Sequence, residues 1–224
     1  MAFLKFIDKK GADSFMSGIV QFGRVKEYLE SEQKKYAEKY LKVEQKKCAG
    51  KNDEMENKYY TTKYQTPQGI PVKLTIDAGR QKVDYALCLY HLDGKRSTER
   101  ITEMFEFGEY VVKIEDELEF DRRIKNGAEK NKYLLYNRDV LYYQDESIED
   151  EMKVMDLMTE SLDYVSFAKR EELFSYQNEY RYLLVDEDAA DDEKNIRFKI
   201  RNLGDIATMM TRSEFLQTWQ YEVE

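Results

Sequence analysis

The chain has one histidine, two cysteines and two prolines in 224 residues, and each scarcity closes off a class of protein. Cys48 lies in a Lys/Glu-rich stretch and Cys88 in an apolar run, so no disulfide framework is expected and reduced thiols suit a cytosol. A Ser-His-Asp arrangement would have to use His91, which ends an apolar run beside the Asp93-Gly94 turn and reads either as a half-buried strand end or as a general base. Cys88 and His91 have C-x-x-H spacing. Three apart on a strand, however, they point to opposite faces, and no second Cys/His pair exists, so no metal centre is expected. The ten glycines are scattered singly. Neither G-x-G-x-x-G nor G-x-x-x-x-G-K-[ST] occurs, and no cofactor is expected. No run approaches the roughly 18 apolar residues that span a membrane. The opening MAFLKFIDKKG lacks a signal peptide's apolar stretch, so the expected location is the cytoplasm, with no membrane partner.

What is abundant is charge. Charged residues make up 36% of the chain, with 45 acidic against 36 basic and a net charge of -9. That balance argues against direct nucleic-acid binding, which needs clustered Lys and Arg to neutralise phosphates. It leaves two readings: a solvating surface, or an acidic face for a basic partner. Hydrophobic residues at 42% and aromatics at 13% suffice for a packed core, and nothing marks a linker or repeat, so residues 1–224 are expected to form a single α+β domain.

Periodicity supplies the elements. FLKFID reads as a strand, followed by a turn at Lys10-Gly11, a short helix through Phe15 and Met16, and IVQF after Gly18. Val25, Leu29, Tyr36, Tyr40 and Val43 mark one stripe of a long surface helix. Ile70, Val72, Leu74 and Ile76 alternate, with Pro71 placing that strand at an edge or a start. YALCLYHL, residues 85–92, is continuously apolar apart from His91, which predicts a central strand covered on both faces. A short helix over 101–107, the strand YVVKI and a helix around Leu118, Phe120 and Ile124 follow. YLLY and VLYY, separated by Asn137, Arg138 and Asp139, suggest a hairpin. Ile148, Met152, Met155, Met158, Leu162 and Val165 form a helical stripe behind a Ser147/Asp150 capping box. Strands at YRYLLV and IRFKI and a closing segment with Trp219 complete the chain. The expected fold is a mixed, largely antiparallel sheet with helices packed on it.

The segment FAKREELFSYQNEYRYLLV, residues 167–185, carries the chemistry most open to interpretation. A strand beginning near Gln177 would put Gln177, Glu179 and Arg181 on one face and Tyr180, Tyr182 and Leu184 on the other. Polar groups in such a row form either a buried network or a pocket. The order F-x-K (Phe167, Lys169), an aromatic-rich helix, then Q-x-E-Y-R resembles the C-terminal signature of an uncharacterised family of bacterial and phage proteins, whose motif is of the E-x-E-[YW]-R type. SFMSGIVQF, followed by a charged helix, is similar to that family's opening. The resemblance implies phage or mobile-element cargo with a defence or counter-defence role. A second resemblance is to mono-ADP-ribosyltransferases, where a Q-x-E or E-x-E pair presents a glutamate to the nicotinamide ribose; it implies catalytic roles for Glu179 and Gln177, and Arg181, expected on the same strand face, is the third catalytic candidate. This sequence departs from that family: Ser97-Thr98 is followed by Glu99, and no arginine precedes Arg24.

Eighteen tyrosines, some paired as in Tyr142-Tyr143, serve half-buried strands or interfaces. The leading expectation is an interaction protein that meets a basic protein or nucleoprotein partner through Asp145, Glu146, Tyr142, Tyr143, Asp186, Asp188, Asp191 and Asp192. The alternative is a small nucleotide- or NAD-handling enzyme built on Glu179.

Overall fold

A computed structural model of the chain describes residues 1–25, 27–28, 59–65, 71–77, 83–94, 99–144, 166–186 and 195–222. Its residues gather into two compact units. Met1–Gly23, Tyr85–Asp139 and Tyr176–Glu224 form one, and Arg24–Asp84 with Val140–Ser175 form the other.

The first unit is organised by a sheet of β1 (Ala2–Ile7), β2 (Ile19–Arg24), β5 (Val83–Leu92), β6 (Tyr110–Ile114), β7 (Leu134–Asp139), β10 (Glu179–Asp186), β11 (Asn195–Lys199) and β12 (Ala207–Thr211). The order is β11-β2-β5-β1-β6-β12, and β10 pairs with both β5 and β7. The pairs β1–β5, β1–β6, β6–β12, β2–β11 and β7–β10 are all antiparallel. The apolar run 85–92 lies inside β5, with neighbours on both edges and with Leu87 and Leu89 each 2% exposed. A strand buried on both faces keeps no polar side, which is why its sequence does not alternate.

Helices cover both faces of this sheet. On one face, Leu4, Phe6, Tyr90 and Val111 pack with Ile101, Met104 and Phe105 of a 3-10 turn (Ile101–Phe107). Phe215 joins them from the C-terminal helix Arg212–Glu222, and Phe6 meets Phe105 edge-on at 5.1 Å. On the other face, Phe120 touches Phe3, Phe15 and Tyr182 with ring centroids 6.4, 5.9 and 5.9 Å away. Phe15 comes from α1 (Lys9–Met16) and Phe120 from α2 (Glu117–Lys130).

Local chemistry explains α2. The Asp116 side chain accepts from the Glu119 amide at 2.9 Å, Glu117 and Glu119 sit in the positive first turn, and Lys130 in the negative last one. A Cβ on Gly127 would fall 2.5 Å from the Phe198 ring, so glycine is what lets the helix lie this close to β11. Arg123, with 3% of its side chain exposed, fixes the helix to the loop before β12. It donates to both Asp205 carboxylate oxygens at 2.8 and 2.6 Å, to the Asn202 carbonyl at 2.6 Å and to Glu119 at 2.8 Å.

The second unit contains β3 (Tyr59–Gln65) paired antiparallel with β4 (Pro71–Asp77), and β8 (Leu141–Tyr143) paired parallel with β9 (Ala168–Arg170). A short helix, α3 (Glu171–Phe174), follows β9, which makes the C-terminal helix α4; Gln144 donates to Glu171 at 2.8 Å. Pro71 opens β4, the position that costs a strand no ladder hydrogen bond.

The chain is thus α+β, with a largely antiparallel sheet bearing helices, and among the described residues no helix is long and apolar enough to cross a membrane. Three expectations are corrected. The Lys10-Gly11 turn is part of α1, which Asp8 caps by accepting from the Gly11 amide at 2.7 Å. Residues 137–139 are not a hairpin loop but the end of β7, in register with Tyr182, Arg181 and Tyr180 of β10. VLYY leaves the first unit and pairs with β9. The helical stripes expected over 25–43 and 147–165 lie almost wholly outside the described residues, which include only 25, 27 and 28 of them.

Candidate functional site

Two groups of buried polar side chains converge on β10, one on each of its faces. Glu179 opens the strand and Arg181 follows two residues later on the same face. The Arg181 Nε donates to Glu179 Oε1 at 2.8 Å and its Nη2 to Oε2 at 3.3 Å, with side-chain exposures of only 3% and 5%. Gln177 does not continue this row. It ends a 3-10 turn (Ser175–Gln177), and Asn178 intervenes with φ of 36°, a left-handed conformation that Asn tolerates better than most residues and that breaks the alternation of side chains. Gln177 is buried and its amide donates to the Tyr176 hydroxyl at 3.4 Å. The three candidate residues Gln177, Glu179 and Arg181 are therefore close in sequence and all buried, and Glu179 and Arg181 form a pair.

Asn178 also builds the second group. Its carbonyl accepts from the His91 amide at 2.7 Å and its Nδ2 donates to the His91 carbonyl, so the end of β5 is held at both backbone groups. His91 is thereby placed with its ring between Phe3, 5.0 Å away, and Tyr180, 5.4 Å away and edge-on. Asp139, at the end of β7, accepts from the His91 Nδ1–H at 2.6 Å. On the other side of the ring, Glu117 Oε1, from the first residue of α2, stands 3.6 Å from Nε2. Asn137, two residues before Asp139 and so on the same strand face, donates through Nδ2 to the Tyr180 hydroxyl at 2.6 Å and to Asp121 at 3.0 Å. Asp121 also pairs with Lys125 at 2.6 Å.

The two groups differ in how completely their polar atoms are matched. Around His91, the buried atoms His91 Nε2 and Glu117 Oε1 have no hydrogen-bond partner, while the buried Tyr182 hydroxyl lies toward Asp121. Tyr182 is fully buried, and His91 is 8% exposed. The outer wall is more open, with 21% of the Glu117 side chain and 44% of that of Asp139 exposed. Burial by itself would depress the imidazole pKa. The hydrogen bond to Asp139, with the charges of Asp139, Glu117 and Asp93, outweighs it, and the net pKa is raised. Burial pushes the Tyr180 and Tyr182 phenols up as well, with Asp121 and Glu117 adding to the effect, so both hydroxyls stay protonated at neutral pH. The arrangement can hold a proton between two carboxylates or accept hydrogen bonds from a cation. Among the described residues no three His, Cys, Asp or Glu side chains are grouped to hold a metal ion.

No protein-family model, no curated protein and no solved structure matches the chain.

Of the acidic and tyrosine positions expected to form a binding face, Asp145, Glu146, Asp188, Asp191 and Asp192 lie outside the described residues, and Asp186 ends β10. Tyr142 and Tyr143 are on β8 in the second unit, Tyr142 half-buried and Tyr143 5% exposed. Sequence reasoning picked out His91 as a possible base but missed its partners. Asn137 and Asp139 carried a signal, polar residues two apart at a strand end, which a hairpin loop explained equally well. Glu117 carried none, because an acidic residue in a first helical turn already has a reason to be there.

Proposed function

We propose that the protein is an interaction protein that takes a cationic group of a protein or nucleoprotein partner onto the acidic, tyrosine-bearing site formed by Glu117, Asp121 and Asp139 around His91. The observation that supports this reading is the facing pair of unmatched buried atoms, His91 Nε2 and Glu117 Oε1, beside the buried Tyr182 hydroxyl. An imidazole lone pair, a carboxylate and a phenol oxygen are all acceptors, and an ammonium or guanidinium brings several N–H donors. Buried polar atoms without partners cost roughly 1–3 kcal/mol each, which a bound donor would recover. Glu117 and Asp139 are the solvent-reaching members of the group, with 21% and 44% of their side chains exposed, and the half-buried Tyr180 ring adds a face that attracts cations.

The enzymatic alternative needs the Glu179 carboxylate to meet a substrate, and Glu179 is instead 4% exposed and bonded to Arg181. The resemblance to bacterial and phage proteins makes defence or counter-defence by a mobile element the setting in which we look for the partner.

A tetralysine peptide titrated into isotope-labelled protein tests the reading. Amide and side-chain shifts are expected at His91, Glu117, Tyr180 and Tyr182, weakening as salt rises because exposed charge is screened over about 10 Å at 0.1 M. They should be lost in a Glu117→Gln/Asp121→Asn variant. Small shifts scattered over the acidic surface, unchanged in that variant, would contradict a specific site.

A further inference from the structure

We infer that His91 is a proton gate on this site: its proton and the partner's cation compete for the same carboxylates, so the site is closed when the imidazole is charged and open when it is neutral. The inference rests on the cationic-partner reading above and adds its regulation.

The geometry carries it. The ring is fixed at its backbone by Asn178 and at Nδ1 by Asp139, 2.6 Å away, so Nδ1 keeps its hydrogen in either protonation state. The only atom free to gain or lose a proton is Nε2, which is buried, lacks a hydrogen-bond partner and lies 3.6 Å from Glu117 Oε1. Both atoms of this facing pair are acceptors when the imidazole is neutral. A proton on Nε2 turns the contact into an ion pair and offsets the carboxylate charge that would draw a cation. Loss of that proton leaves a lone pair against a carboxylate, an arrangement that a donor with positive charge relieves. Among the described residues, the charged groups acting on the ring are Asp139 from β7, Glu117 from α2 and Asp93 from the turn after β5, and the Tyr180 and Tyr182 phenols of β10 lie beside it with Asp121 of α2 near them. Lys125 pairs with Asp121. The phenols do not titrate near neutrality, and β1 contributes the Phe3 ring. The carboxylates therefore set the direction, and all of them favour the proton.

His91 is the only histidine in the chain, so a histidine-selective 13C/15N label gives one imidazole to follow. In the free protein its titration midpoint should lie above the ordinary value of about 6.5 and move down in both Glu117→Gln and Asp139→Asn. Tetralysine should lower the midpoint further, and its affinity should rise by up to about tenfold per pH unit below that midpoint if one proton leaves on binding. His91→Gln should remove this pH dependence. A midpoint at or below 6.5 in the free protein, or one unmoved by Glu117→Gln, overturns the gate whatever the peptide does. If the peptide binds at Glu117 without moving the midpoint, the gate is wrong and the binding reading stands. If the peptide does not bind but the midpoint is raised and depends on Glu117, the proton clasp stands and the cationic-partner reading fails, and the gate with it.

Discussion

The Glu179–Arg181 pair and the His91 cluster are both charge buried in one sheet, on opposite faces of β10, yet they are built differently. Glu179 and Arg181 are deep, close and doubly hydrogen-bonded. His91 has one tight partner at 2.6 Å, one loose partner at 3.6 Å, and unmatched acceptors around it. A matched buried pair is consumed by the fold, because neither partner can turn to a ligand without stranding the other. A partly matched cluster costs stability that a packed apolar residue would not, and a site that binds something accounts for such a cost. The motif that stands out in the sequence holds the matched pair, and the histidine beside a turn holds the partly matched one.

Substitutions that break charge at graded depths sharpen the comparison. The largest loss is expected for Glu179→Gln, which takes the Glu179 carboxylate away from the buried Arg181 guanidinium. Urea denaturation should show a loss of about 3–5 kcal/mol. Tetralysine binding, corrected for the folded fraction, should be unchanged.

Arg123→Met should cost less, about 1–3 kcal/mol, because its partners Asp205 and Glu119 reach solvent with 41% and 22% of their side chains exposed. The same network has an acid signature. The hydrogen bond from Arg123 holds the Asp205 carboxyl at about 2, and Arg122, then Arg123, hold that of Glu119 at about 2. Depressed carboxyl pKa values contribute stability above the unfolded range near 4, and that contribution is lost as pH falls from about 4 toward 2. Asp205→Asn should flatten the stability curve over that interval and leave it unchanged at pH 7–9, apart from a constant offset.

The smallest effect is expected at the candidate site. Glu117→Gln should change stability by about 1 kcal/mol or less, the size of a helix-dipole contribution at a first turn, while abolishing tetralysine shifts at His91. Around His91 the pH dependence has the opposite sign to that of the carboxyls. A raised pKa contributes stability that is fully present below about 6.5 and is lost as pH rises through the folded midpoint. His91→Gln should remove that decline.

The sheet was legible because burial writes periodicity into sequence. Leu87 and Leu89 sit in an uninterrupted apolar run, and Phe3 to Phe6 mark β1. β12 was missed because its ATMMT is only half-buried and ends in polar threonine, so it presents no clean alternation. The site was not legible for a different reason. His91, Asp139 and Glu117 are brought together by β5, the far end of β7 and the first turn of α2, and each of the three has an adequate local explanation alone. What distinguishes them is the distance between side chains and the missing third partner, neither of which a sequence records. Gln177 shows the converse: its spacing from Glu179 suggests a shared face, and one residue with positive φ between them removes it.

The most direct measurement is a side-by-side comparison of Glu117→Gln and Glu179→Gln, each followed by urea denaturation and by tetralysine titration of the His91 signal. Glu117→Gln is expected to stay as stable as the unaltered protein and no longer bind, while Glu179→Gln is destabilised and its folded fraction binds normally. Binding lost in a stable Glu179→Gln protein and retained in Glu117→Gln would contradict it, and would return Glu179 to the centre of the molecule's function.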